Sequence, residues 1–130
     1  MVQRVTGIGG IFIKAKDPEA LKAWYRDRLG IPLEDWGGCA FRWNVPGRTE
    51  PDGGVTVWSV FNDDSKYFAP SNARFMVNYR VDDVHALIAQ LRAEGCAVDD
   101  KVDESEYGKF GWVMDPEGNR IELWEPPPRS

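Results

Sequence analysis

The run Arg120-Ile121-Glu122-Leu123-Trp124 holds the residue with the clearest capacity for chemistry, Glu122. In a strand, side chains alternate between faces, so Arg120, Glu122 and Trp124 share one face and Ile121 and Leu123 the other. A carboxyl buried beside aromatic rings has its pKa raised and can act as a general acid or base. Arg120 offers the opposite outcome, an ion pair that keeps Glu122 ionised. A purely structural ion pair or hydrogen-bonded remnant is the plainer alternative.

Other reactive side chains are sparse. The single histidine, His85, falls in a predicted helix and reads as a surface residue. The two cysteines, Cys39 and Cys96, are far apart and lack metal-ligand spacing, so free thiols are expected rather than a disulfide framework. Six tryptophans in 130 residues is a high count, and Trp43, Trp58 and Trp124 lie on predicted strands. Aromatic walls suit a planar or apolar organic ligand, although the same residues also make ordinary core.

The net charge of −5 leaves no basic stripe to displace counterions from nucleic acid. The acidic run Asp99, Asp100, Asp103, Glu104 and Glu106 reads as a solvated loop. No apolar run approaches bilayer length, and MVQRVTGIGG lacks a charged segment followed by an apolar one. A cytoplasmic location without membrane contact is therefore expected.

The positioning elements follow from pattern. Ile8 to Ala15 reads as a strand, and Asp17-Pro18-Glu19 opens a helix to Leu29 that Gly30 stops. Strands are expected at Cys39–Asn44 and Val55–Phe61, with the turn-rich stretch Val45–Gly54 between them. Asn62–Asn72 reads as a linker. Phe75–Val81 is a strand, Asp82 and Asp83 offer a cap, and Val84–Ala93 is a second helix stopped by Gly95. Strands near Ala97–Val98, Gly111–Asp115 and Arg120–Trp124 complete the chain. Asp17 maps to Asp82, Gly30 to Gly95 and Gly53 to Gly118, each at a lag of 65. Two halves, about 1–65 and 66–130, each read strand–helix–strand–strand–strand within one domain, 1–130. Half a chain of this size buries only roughly 60% of its unfolded surface, so a shared core or a partner chain is expected.

Phe110-Gly111-Trp112-Val113-Met114-Asp115-Pro116-Glu117-Gly118-Asn119-Arg120-Ile121-Glu122-Leu123 resembles the closing hairpin of the glyoxalase/bleomycin-resistance/dioxygenase (vicinal oxygen chelate) superfamily. Lys16-Asp17 leading to Trp24-Tyr25 and Leu29-Gly30-Ile31 is similar to that superfamily's first helix. The resemblance implies an α+β fold of two βαβββ units with cupped mixed sheets around a small-molecule pocket. It also implies four possible metal corners, one on the first and one on the last strand of each unit.

Counting seven residues back from Asp17 and Asp82 gives Gly10 and Phe75. The last-strand corners fall on Glu122 and, in the first half, on Val57 or Thr56. Only Glu122 can ligate, so no metal cofactor is expected, since such sites need several nitrogen or carboxylate donors.

The cup implied by the resemblance would then be lined by Phe12, Trp43, Trp58, Phe75, Arg120 and Trp124 around Glu122. Tyr67 and Tyr107 would stand in loops at its openings. One strand conflicts with this picture. Phe75–Val81 would aim Met76, Asn78 and Arg80 at the helices, where Asn78 and Arg80 do not suit an apolar core. The function expected is metal-independent binding of a small organic molecule, by a homodimer. The alternatives are a glyoxalase-like lyase, isomerase or dioxygenase using Glu122, and an interaction module with a vestigial pocket.

Overall fold

The computed structural model describes residues 4–43 and 54–128. Gly53 and all of the expected turn-rich stretch except Gly54 lie outside the described residues. Ten elements follow in chain order. The first half gives β1 (Val5–Ala15), α1 (Pro18–Leu29), β2 (Cys39–Arg42) and β3 (Val55–Asn62). The second gives β4 (Phe75–Val81), α2 (Val84–Ala93), β5 (Ala97–Val98), β6 (Asp103–Ser105), β7 (Gly108–Met114) and β8 (Arg120–Glu125). Among the described residues the first half therefore holds three strands rather than four. After α1 the chain turns through Glu34 and Gly38 and reaches the sheet only at Cys39.

All strands join one mixed sheet in the order β2-β3-β1-β4-β8-β7-β5, with β6 also on β7. β1 runs parallel to β3 and β4 parallel to β8, while β1 and β4 meet antiparallel at the centre. Each half thus contributes one side of the sheet, and the centre is a backbone-bonded junction of the two.

The helices form where their caps dictate. Asp17 accepts from the Ala20 amide at 3.1 Å, Pro18 takes the first turn, and Gly30 closes α1 with φ of 71°. Of the two aspartates offered as the second cap, Asp83 serves, accepting from the Ala86 amide at 3.0 Å. Asp83→Ala is expected to lower stability by about 1 kcal/mol, because the amide loses its acceptor at a helix that anchors core. Urea unfolding of Asp83→Ala against Asp83→Asn, which keeps an acceptor, checks this.

α2 lays Val84, Leu87 and Ile88 on Val81 and Leu123, one cluster on the helix face of the sheet. α1 covers a second cluster, in which Leu21 and Tyr25 pack on Ile13, Cys39 and Trp58. Trp58 is therefore helix-side core, in ring contact with Tyr25 at 5.0 Å, and does not line the cup. Val57, its neighbour, faces the opposite way and joins the third cluster of Phe12, Phe68, Met76 and Trp112.

β4 corrects a second expectation. Met76 and Asn78 face the cup, while Tyr79 and Val81 pack with α2. The register explains it. Gly10 lies opposite both Val57 and Asn78, and Asn78 lies beside Glu122. The partner of Gly10 in the second half is thus Asn78, three residues beyond Phe75. An odd slip along a strand turns every side chain to the other face. Counting from the helix cap could not reveal it, because β1 runs on past Gly10 to Ala15 while β4 ends at Val81, a shorter run past Asn78. Phe75 stands at the strand end, 59% exposed and outside the cup.

Candidate functional site

Glu122 is 1% exposed at the floor of the cup. Sheet register gathers its neighbours from distant sequence: β4 sets Asn78 beside it and β7 sets Trp112 opposite it. Asn78 donates from Nδ2 to Oε1 at 2.6 Å, and Trp112 donates from Nε1 to Oε2 at 3.0 Å. Tyr67, from the segment between β3 and β4, donates its hydroxyl to Oε2 in a short contact. Burial pushes the Glu122 carboxyl above its ordinary value, and it outweighs these three donors and the more distant charge of Arg120. Burial, then the neighbouring Glu122 charge, drives the Tyr67 hydroxyl above the ordinary phenol range, so Tyr67 is a donor here and not a phenolate.

Arg120 does not pair with Glu122, contrary to one expectation. Its guanidinium donates to the Ala69 carbonyl, approaches Asp99 at 3.5 Å and stacks 4.9 Å from the Trp112 ring centroid. It lines a smaller hollow of about 260 Å³ with Pro70, Val98 and Met114, outside the main cleft. Trp43 is likewise elsewhere. It donates to Thr56 Oγ1 at 2.7 Å and lies under the Arg80 guanidinium at 5.6 Å.

Above Glu122 opens a cleft of about 530 Å³. Of the eight ligand-contact expectations, Phe12, Tyr67, Tyr107 and Trp124 line it; Trp43, Trp58, Phe75 and Arg120 do not. Phe61 and Phe110 line it too. Phe110 stacks on Trp124 at 6.4 Å with ring planes 13° apart, and Phe61 stacks on Tyr67 at 5.5 Å. Phe61 was legible, since it shares strand parity with Val57, already assigned to the cup. Phe110 is one register step from Trp112 and pairs with Trp124. Only the pairing of β7 with β8 identifies it. Glu106, Tyr107 and Pro127 complete the lining, and Gly9, having no side chain, lets Asn78 and the Trp124 ring close in at its floor. His85 contacts Glu104 at 3.1 Å, both exposed, far from this chemistry.

By register the four corners are Gly10, Val57, Asn78 and Glu122. This donor set does not fit a divalent metal. Two corners have no ligating atom, and both oxygens of the Glu122 carboxylate already accept from protein N–H and O–H groups. Among the described residues no three His, Cys, Asp or Glu side chains converge.

The family model described as a glyoxalase-like domain matches residues 10–124, nearly the whole chain. The chain belongs to the glyoxalase-like domain family. Solved structures share the fold of this glyoxalase-like domain. A methylmalonyl-CoA epimerase from Mycobacterium tuberculosis aligns at a TM-score of 0.63 with 24% identity, over 95% of this chain and 90% of that one. A Streptomyces coelicolor methylmalonyl-CoA epimerase, in complex with 2-nitronate-propionyl-CoA, aligns at 0.70 with 20% identity, over 96% and 100%. A glyoxalase/bleomycin resistance protein/dioxygenase superfamily member from Vibrio splendidus 12B01 aligns at 0.59 with 12% identity, over 94% and 99%. No protein of curated function matches. Among the described residues of this glyoxalase-like domain, no helix is long and apolar enough to cross a membrane.

Proposed function

We propose that this glyoxalase-like domain binds a small organic molecule in the aromatic cleft over Glu122, without a resident metal. The observation that carries the reading is the state of Glu122: its carboxylate is held by Tyr67, Asn78 and Trp112 at the floor of an aromatic cleft. Those hydrogens take three of the carboxylate's roughly four lone-pair sites. Apolar walls with a few fixed polar groups are the usual make-up of a small-molecule pocket. The chain is taken to act as one domain of two units, as a cytoplasmic homodimer.

Metal content and thermal shift test it. A ligand that binds only the folded state raises the melting temperature by mass action. Nickel, zinc, manganese and iron are expected to leave Tm unchanged, and purified protein to carry no stoichiometric metal. Stoichiometric metal with a Tm rise that Glu122→Gln abolishes would overturn the metal-independent reading.

One observation favours a second reading. The raised pKa of the buried Glu122 suits proton transfer to or from a bound substrate. Solvent deuterium incorporation into a bound carbon acid, abolished in Glu122→Gln, distinguishes catalysis from binding.

A further inference from the structure

The ionisable acid and base groups that line the cleft are of one kind. Among the described residues its lining holds two carboxyl groups, Glu106 at the rim and Glu122 at the floor, and no Lys, Arg or His. The cations nearby in sequence are engaged elsewhere: Arg80 lies over Trp43, Lys109 reaches Glu125 at 3.8 Å, and Arg120 bonds the Ala69 carbonyl and lies over Trp112.

A second observation points the same way. Asn78 is 2% exposed, and its Nδ2 is committed to Glu122, which leaves Oδ1 as a buried acceptor with no partner. Buried polar atoms without partners are rare, and each asks for a cause. Oδ1 lies where the side chain missing at Gly9 would stand, at the floor of the cleft. What is absent there is a hydrogen-bond donor.

The walls supply the third. Phe110 stacked on Trp124, with Phe61 and Tyr107, presents aromatic faces and edges around the opening. The faces of such rings carry negative quadrupole charge and attract ammonium groups. Carboxyl groups without a protein cation among the described lining residues, an unpartnered buried acceptor and aromatic ring faces together describe a receptor for positive charge.

We propose that the cleft's ligand is an organic ammonium: a protonated amine on an apolar or aromatic body, its charge held by Glu106 and the ring faces, over a floor whose spare acceptor is the Asn78 carbonyl. This rests on the reading of the cleft as a small-molecule site and adds the ligand's chemical class. The chain's net charge of −5 draws such a ligand toward the protein.

Three probes of one shape test it by calorimetry: 1-naphthylmethylamine, 1-naphthalenemethanol and 1-naphthoate, which are cationic, neutral and anionic at pH 7. The amine is expected to bind at least about tenfold tighter than the alcohol, with the carboxylate weakest. Glu106→Gln, a change at an exposed rim residue, is expected to weaken the amine about threefold or more and leave the alcohol unchanged. Added salt is expected to weaken the amine alone. Equal affinities for amine and alcohol, or tightest binding of the carboxylate, would overturn the charge assignment and leave the small-molecule reading standing. Binding of none of the three, with the protein folded by circular dichroism, would overturn both.

Discussion

Glu122→Leu is expected to unfold at a much lower urea concentration than the wild type. The substitution removes the acceptor shared by Asn78 Nδ2, Trp112 Nε1 and the Tyr67 hydroxyl. Asn78 and Trp112 are almost wholly buried, so water cannot replace the lost partner. A buried donor left unpaired costs about 1–3 kcal/mol, so two of them imply a loss of roughly 2–6 kcal/mol. Tyr67 is 37% exposed and adds less. Glu122→Gln keeps one acceptor oxygen and is expected to fall between. A loss under about 1 kcal/mol for Glu122→Leu would mean that the three donors do not depend on this carboxyl.

The same carboxyl sets a pH dependence whose sign follows from its burial. Its folded pKa lies above the ordinary 4.5, so between those two values the folded state holds more protons than the unfolded one. Stability from this group is fully present below about pH 4.5 and is lost as pH rises through the folded pKa. Stability measured from pH 4 upward is expected to contain a falling component in the wild type that Glu122→Gln removes. A component that rises over that window instead would show that the donors outweigh burial.

The other large effect belongs to Phe68. Its ring is fully buried against Phe12, Met76 and Trp112, with Phe61 at 5.3 Å. Truncation of a buried aromatic costs about 3–5 kcal/mol through lost transfer energy and the cavity left behind. Phe68→Ala is expected to lose that much, and Phe68→Leu markedly less. The segment that carries Phe68 also carries Tyr67, so Phe68→Ala should free the Tyr67 hydroxyl from Glu122. Tyrosine ring signals in NMR spectra report that release. An unmoved Tyr67 in a destabilised protein would separate the two roles.

The segment with these two residues reads in sequence as a linker, which shows where sequence reasoning stops. Asp63 and Asp64 read as turn residues and lie in a turn, whereas Asn62 is the last residue of β3. Nothing in their spacing says that the next aromatic pair plugs the base of a cup. Local signals carried well: both helices, their glycine stops and the alternation of β8 were legible, because caps and periodicity act within a few residues. Glu122 and Gly10 were read from the family resemblance and Val57, with Thr56 as its alternative, from the lag of 65; register sets Gly10 opposite Val57. What failed was long-range parity. Trp58 and Val57 are adjacent in one strand and cannot both face the cup, and alternation alone should have removed Trp58. Phe75 required the register of β1 on β4, which is set by backbone pairing across the centre of the sheet. Arg120 had the right face, but its partners, Ala69 and Asp99, come from loops no pattern foretells.

The close packing around Gly10 constrains how this lineage can change. A side chain added at Gly10 would meet the Phe12 ring at 2.9 Å and the Val57 carbonyl at 3.2 Å. A histidine there has no room while Phe12 keeps its place. Installing a metal ligand at this corner therefore takes more than one substitution. Phe12 would have to shrink before Gly10 grew, and the intermediate would have an opened core and no ligand to compensate. Val57 and the three donors on Glu122 set further steps, each unrewarded until the rest are taken. A glycine beside a large ring thus acts as a lock: while the ring fills the corner, each first step toward a ligand there brings only loss.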